Sequence, residues 1–225
     1  MEFDSFLLAA ATGDLSEEPA AREHADLVEF RMDLGADPLD QLAAYDGELA
    51  LLATNRVEWE GGEAGSEGRL ADLALAAEHP CVEAVDVELS SVASGEGTDV
   101  VERAREEGVA VVVSVHDFDG TPEPAELRRL LERSAEYGDV AKLATTAESL
   151  DDALALLAAT RSATEAGHTV ATMAMGEPGR HTRAVAPVYG SRLGYAPVDP
   201  DEATAPGQYD LATLRSLVEK LTGTP

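Results

Sequence analysis

Cationic charge is what this 225-residue chain has least of: 16 Lys and Arg stand against 44 Asp and Glu, for a formal net charge of −28. Only two of the cations are lysine, Lys142 and Lys220. That balance excludes nucleic acid as a partner, because binding to a phosphate backbone rests on clustered Lys and Arg. The single cysteine, Cys81, excludes an intrachain disulfide; next to His79, Pro80 and Val82 it reads as a small buried residue at a strand start. No apolar run is long enough to span a membrane, and the first residues lack the basic and apolar segments of a secretory signal, so the chain reads as soluble and cytoplasmic. A GxGxxG after the first strand, a Walker lysine loop, HxH and HExxH are all missing, which leaves nucleotide binding and a metal site without motif support.

The acids are not gathered in one tail. They recur in each polar segment: 16–18, 58–63, 102–107, 123–136 and 199–202. Disorder does not fit, because apolar runs of strand and helix length recur throughout. Mimicry of nucleic acid would concentrate the charge on one face. An even acidic coat with almost no lysine fits a protein of a halophile, where salt screens the self-repulsion.

Strand-like runs alternate with helical patterns about eight times. The strands read at 6–12, 27–33, 48–56, 84–90, 109–117, 140–146, 168–176 and 193–198. Helical patterns follow at 14–25, 38–45, 68–78, 98–107, from Thr121-Pro122 to Gly138, at 149–166, 179–188 and 210–221. The stripe on the 149–166 helix is Leu150, Leu154, Leu157 and Ala158. Parallel βαβ units follow, and eight of them in this length predict one (β/α)8 barrel domain over residues 1–225, with a polar loop at 200–208 able to close over its mouth. His24 and His79 read as surface groups, Trp59 and Tyr189 as packing residues, and Tyr195 as either packing or site.

Strand side chains alternate between faces. In a barrel, helices cover the outside, so the apolar set faces out toward them and the polar set points in. Val28, Phe30 and Met32 oppose Glu29, Arg31 and Asp33; Val85, Val87 and Leu89 oppose Asp86 and Glu88; Val111, Val113 and Val115 oppose Val112, Ser114 and His116. With Arg56 after the third strand and Lys142 on the sixth, this predicts that Glu29, Arg31, Arg56, Glu88, His116 and Lys142 converge at the C-terminal ends of the strands. The set has a chemical meaning. An amine held away from water among cations loses its proton more readily, and the neutral amine attacks a ketone to give an imine. A histidine can take a proton from the adjacent carbon and return it to a leaving group, a carboxylate such as Glu88 can orient that histidine, and arginines suit a substrate carboxylate.

These residues resemble a known family. Glu29-Phe30-Arg31 with Asp33, Thr54-Asn55-Arg56 with Glu60-Gly61-Gly62, Val85-Asp86-Val87-Glu88-Leu89, Ser114-Val115-His116-Asp117-Phe118 with Thr121-Pro122, Ala141-Lys142-Leu143-Ala144, Met175-Gly176 with Gly179 and Thr182-Arg183, then Gly190-Ser191 and Ala205-Pro206-Gly207-Gln208, follow in order the motifs of type I 3-dehydroquinate dehydratase. The resemblance implies a (β/α)8 lyase without cofactor or metal that converts 3-dehydroquinate to 3-dehydroshikimate in the shikimate pathway. It implies Lys142 as the imine-forming residue, His116 as acid and base, and Glu88 as partner of His116. Arg183 would bind the substrate carboxylate. Glu29, Arg31, Arg56 and Gln208 would contact hydroxyls or hold the site, and Thr204 stands where serine is usual. A homodimer is a further implication.

Overall fold

The computed structural model describes residues 1–199 and 207–223. Eight strands run in parallel: β1 (Leu7–Thr12), β2 (Leu27–Arg31), β3 (Leu51–Thr54), β4 (Val82–Glu88), β5 (Ala110–Asp117), β6 (Val140–Thr146), β7 (Val170–Met175) and β8 (Leu193–Pro197). From β1 to β7 each pairs with the next, and β1 also pairs with β8, Ala9 lying opposite Tyr195. Between β7 and β8 the link is a Val170–Ser191 bridge, and the Arg192 N–H donates to the Val170 carbonyl at 2.7 Å. The result is a nearly closed barrel in a single domain.

The connecting helices are α1 (Glu18–Ala21), α2 (Pro38–Ala44), α3 (Arg69–Ala76), α4 (Leu89–Ser94), α5 (Thr98–Glu107), α6 (Pro124–Ala135), α7 (Leu150–Glu165), α8 (Thr182–Val185) and α9 (Leu211–Thr222). Local chemistry sets several of their ends. Ser149 and Asp152 form a reciprocal capping box at the start of α7, and Asp210 accepts the Thr213 N–H at the start of α9. Gly108, at φ +71°, stops α5 and turns the chain into β5.

Alternation along the strands divides the core into an outer shell and an inner plug. Outside, Val28, Phe30, Leu51, Val85 and Val113 pack with Leu73 and Val100 of α3 and α5, and Leu143 and Val170 pack with Leu127, Leu131 and Leu156 of α6 and α7. Inside, Leu27, Leu52, Val112, Val140 and Leu193 fill the barrel, with Met1, Phe3 and Leu7 packed against them. Each fully buried side chain of this kind contributes roughly 1.5–3 kcal/mol. The plug leaves the charged side chains only the C-terminal mouth.

Some elements depart from expectation. The 14–25 segment is only a short 3-10 turn followed by α1. The helix expected to open at Thr121-Pro122 begins at Pro124; the Thr121 hydroxyl instead donates to the Thr146 carbonyl at 2.8 Å and ties this loop to the end of β6. An unforeseen helix, α4, follows directly on Glu88. On α7 the leucines offer two overlapping stripes, and packing selects Ala153, Leu156, Leu157, Thr160 and Ala163; Leu150 and Leu154 are 65% and 59% exposed. The selected stripe carries Thr160, whose hydroxyl lies 2.7 Å from that of Thr172 on β7. Trp59 is 60% exposed rather than packed, because the tight 58–60 turn sends Glu60 inward and its neighbour outward; Tyr189 is 37% exposed. Most of the expected closing loop, including Thr204, lies outside the described residues.

The choice of stripe on α7 is measurable. Leu156→Ala should cost about 2–5 kcal/mol in chemical unfolding at high salt, and Leu154→Ala should stay within about 0.5 kcal/mol of the parent. Equal costs would contradict the packing described.

Candidate active site

Lys142 enters the site from β6, one turn of the pleat above Val140 of the plug, and is 4% exposed. Its Nζ donates to Asp86 Oδ2 of β4 at 2.8 Å, has Glu29 Oε1 of β2 at 3.7 Å, and sits 4.2 Å from the ring centroid of Tyr195 on β8. Asp86 in turn accepts from Arg56 Nη2 at 2.5 Å and from the Ser114 hydroxyl at 2.6 Å. Burial works to raise the Asp86 carboxyl, but the Arg56 and Lys142 cations prevail and hold it well below the usual carboxylate range. For Arg56, burial opposes the charge and the Asp86 and Glu88 carboxylates more than restore it, so its pKa is raised. The centre is therefore a compensated ionic cluster.

His116, near the end of β5, meets this cluster from the side. Its Nδ1 is 3.0 Å from Glu60 Oε2, and the same oxygen accepts the His116 backbone N–H at 3.2 Å. Glu60 reaches this place from the 3-10 turn that follows β3. The turn folds back because its next two residues are glycine. Gly61 has φ +79°, and a Cβ on Gly62 would stand 2.0 Å from the Arg56 carbonyl oxygen. Burial raises the Glu60 carboxyl to about 7, against the pull of Arg56. Burial, Arg56 and Lys142 push His116 well below its ordinary value. A neutral imidazole therefore faces a carboxyl group poised near neutrality.

The expectation that Glu88 pairs with His116 does not hold. Glu88 is 1% exposed and is taken by two other cations, Arg56 Nη1 at 3.0 Å and Arg69 Nη2 of α3 at 2.9 Å. It also accepts from the Ser91 hydroxyl of α4 at 3.3 Å, so the helix that follows it fixes its rotamer. Its place is behind Arg56, outside the cavity.

The cavity is lined by Lys142, His116, Glu60, Glu29, Arg31 and Arg56, with Arg183, Gln208, Tyr195, Phe118 and two methionines completing its wall. Arg31 is held by a two-pronged contact to Asp33, at 2.9 and 2.6 Å. Arg183 comes from α8, which is anchored to β7 where the Thr182 hydroxyl accepts the Ala174 N–H at 2.8 Å. Burial lowers Arg183 to about 10, with Tyr209 partly offsetting it. A roomier groove of about 920 Å³ lies between the end of β1, α1 and α2, but its arginine, Arg22, is already paired with Glu18 and Glu48. Its polar lining, which includes Asp14, Gln41 and Asp46, holds no lysine or histidine.

Residues 10–225 match the family model for type I 3-dehydroquinase. The chain belongs to the type I 3-dehydroquinase family. The 3-dehydroquinate dehydratase of Haloarcula marismortui is 57% identical over 225 residues, covering 98% of each chain, and that of Halobacterium salinarum is 54% identical over 98% of this chain and all of the other. Both organisms are halophilic archaea, in keeping with the acidic coat. Among solved structures, the 3-dehydroquinate dehydratase of Geobacillus kaustophilus superposes with a TM-score of 0.86 at 30% identity, covering 98% of this chain and 93% of that one. The type I enzyme of Clostridium difficile, solved with covalent modified comenic acid, also reaches 0.86, at 25% identity over 98% of this chain and 94% of its own.

Within this type I 3-dehydroquinase fold, alternation alone locates Lys142, Glu29, Arg31, Arg56 and His116, but not which carboxylate serves which base. Asp86 and Glu88 share a strand face, and only three-dimensional packing tells that one meets Lys142 and the other Arg69. Glu60 was visible as the acid of a Glu-Gly-Gly run after Arg56; the two glycines were the signal for a loop that doubles back.

Asp86 is the test of the ionic cluster. Asp86→Asn leaves Arg56 and Lys142 short of their shared counter-charge and should destabilise the fold by about 3–5 kcal/mol in chemical unfolding at high salt. A cost below 1 kcal/mol would show that other carboxylates compensate.

Proposed function

We propose that this protein dehydrates 3-dehydroquinate to 3-dehydroshikimate through an imine formed by Lys142, with His116 as acid and base. The observation that carries the reading is the buried Lys142 amine opening onto the same cavity as a His116 imidazole backed by a carboxyl group. The family membership supports the overall reaction, and the geometry supports the division of roles.

The Lys142 ammonium gives up a proton as its nitrogen attacks the substrate ketone, and that proton leaves with the carbinolamine hydroxyl as water, which gives the iminium ion. The iminium draws electrons from the adjacent carbon. With Glu60 ionised, Nδ1–H of His116 donates to it, so Nε2 carries the lone pair and removes the proton from that carbon. The resulting enamine expels the β-hydroxyl, which leaves as water with the proton held by His116. Hydrolysis of the conjugated imine then frees the product and Lys142, so the proton balance closes without a cofactor. Arg183 suits the substrate carboxylate as a planar fork of donors. Arg31, Glu29 and Gln208 are placed to meet hydroxyl groups, Arg56 holds Asp86 and Glu88, and Thr204 would add a hydroxyl from the closing segment. Two copies are proposed to pair. The proposed setting is the cytoplasm; no helix among the described residues is long and apolar enough to cross a membrane.

Borohydride reduction in the presence of 3-dehydroquinate at high salt should fix one substrate-derived mass on Lys142, and Lys142→Met should abolish both adduct and turnover. Turnover without an adduct would overturn the imine. The pH dependence tests the second role. Activity should rise as pH passes through about 7 and Glu60 ionises. In Glu60→Gln that rise should vanish, with kcat lowered roughly 10- to 100-fold. A variant retaining the wild-type profile would remove Glu60 from the mechanism.

A further inference from the structure

The neighbours of the Lys142 amine are not all ionic. Strands β2, β4, β6 and β8 each send one side chain to this level of the barrel: Glu29, Asp86, Lys142 and Tyr195. Side chains from alternate strands form such layers in barrels of this kind. Two of the three partners are carboxylates. The third is an aromatic face, 4.2 Å from Nζ to ring centroid, within the range of a cation–π attraction. Tyr195 is 4% exposed, and its hydroxyl is buried without a hydrogen-bond partner among the described residues. A buried hydroxyl left in that state destabilises a fold. What the residue offers this site is therefore the ring.

We propose that the ring of Tyr195 is the platform that holds the reacting nitrogen of Lys142 and stabilises the iminium cation formed on it. The proposal rests on the imine reading above and adds a residue to it. The argument concerns the count of N–H groups. A lysine ammonium has three; here it donates to Asp86 and keeps Glu29 as an ion-pair partner at 3.7 Å. Once the nitrogen is bonded to the substrate carbon as an iminium, it has one. It keeps the positive charge but loses most of its capacity to hydrogen-bond to carboxylates. Attraction to the π face needs no N–H, because the cation interacts with the ring quadrupole. Of the three contacts made by the resting amine, the one to Tyr195 is thus least diminished by imine formation. It favours the charged iminium over the neutral carbinolamine that precedes it. Buried in the barrel, it acts where water does not compete.

The test varies the ring electronics at nearly constant shape. Tyr195→Phe, Phe analogues with one, two and three ring fluorines, and Tyr195→Leu are placed in the full-length chain. Each is assayed at high salt with 3-dehydroquinate for kcat, KM and borohydride trapping at Lys142, with circular dichroism to verify the fold. Tyr195→Phe should keep kcat within about twofold. Each fluorine should lower kcat and the rate of trapping further, to a total of about tenfold to thirtyfold for three fluorines, with KM within about twofold. Tyr195→Leu should lose at least as much. Fluorinated variants equal to Tyr195→Phe would overturn the proposal, since a packing role is insensitive to fluorine number. So would loss of most activity in Tyr195→Phe, which would assign the role to the hydroxyl. A wild-type protein that turns over without trapping would refute the imine itself, and this inference with it, and is distinguished from the other two outcomes by needing no variant.

Discussion

A single buried carboxylate, Asp86, holds the centre of this barrel. It joins Arg56, Lys142 and Ser114 by contacts of 2.5, 2.8 and 2.6 Å. These partners come from the segment after β3 and from β6 and β5, while Asp86 itself belongs to β4. Without it, two cations would stand in a water-poor interior with fewer counter-charges, an arrangement that folding does not tolerate. The rest of the site is arranged around that pairing. Arg56, fixed by Asp86, reaches on to Glu88; Glu88 reaches Arg69; and Arg69 donates to the Asn55 carbonyl beside Arg56, which closes a ring of contacts between β3, β4 and α3. Arg56 and Arg69 thus act mainly as struts behind Lys142 and His116, which line the cavity.

Glu60 stands in contrast to that cluster. Asp86 keeps its charge because cations surround it, whereas Glu60 is buried with weaker compensation and is raised to about 7. The folded state therefore binds the Glu60 proton more tightly than the unfolded chain does. Its contribution to stability is complete below its ordinary value of 4.5 and is lost as pH rises through about 7. Above neutrality the fold carries an ionised carboxylate at some cost in stability, and in the proposed mechanism that same charge orients His116. On that reading function and stability pull in opposite directions at this one residue.

Much of this was legible in the chain before folding. The period-two alternation in β2, β4 and β5 sorts charged from apolar faces, and a helix-covered parallel barrel has only one place for the charged face to go. Lys142 stands out because lysine is otherwise almost absent. What the sequence does not resolve is pairing among equivalent carboxylates. Glu88 and Asp86 are two residues apart on one face, and either could serve His116 or Lys142 until α3 places Arg69 against Glu88. Helix register is hidden for a related reason. Leu150, Leu154 and Leu157 form as good a stripe as Ala153, Leu156, Leu157 and Thr160, and the decision depends on the facing strand, where Thr172 matches Thr160. Glu60 and Trp59 are adjacent, and only the turn they share tells which enters the barrel.

The scarcity of lysine has a consequence for chemical selectivity. A ketone reacts reversibly with any neutral primary amine it meets, and a protein surface rich in lysine offers many. Here the side-chain amines number two: Lys142 within the barrel and exposed Lys220 near the end of α9. An acidic coat whose remaining cations are guanidinium groups gives a carbonyl compound almost nothing to condense with on the outside, even at high metabolite concentration. The surface composition that suits concentrated salt also leaves few side-chain amines outside the barrel for adventitious imine formation, so in the proposed mechanism the lysine chemistry centres on the one side-chain amine that the fold has enclosed.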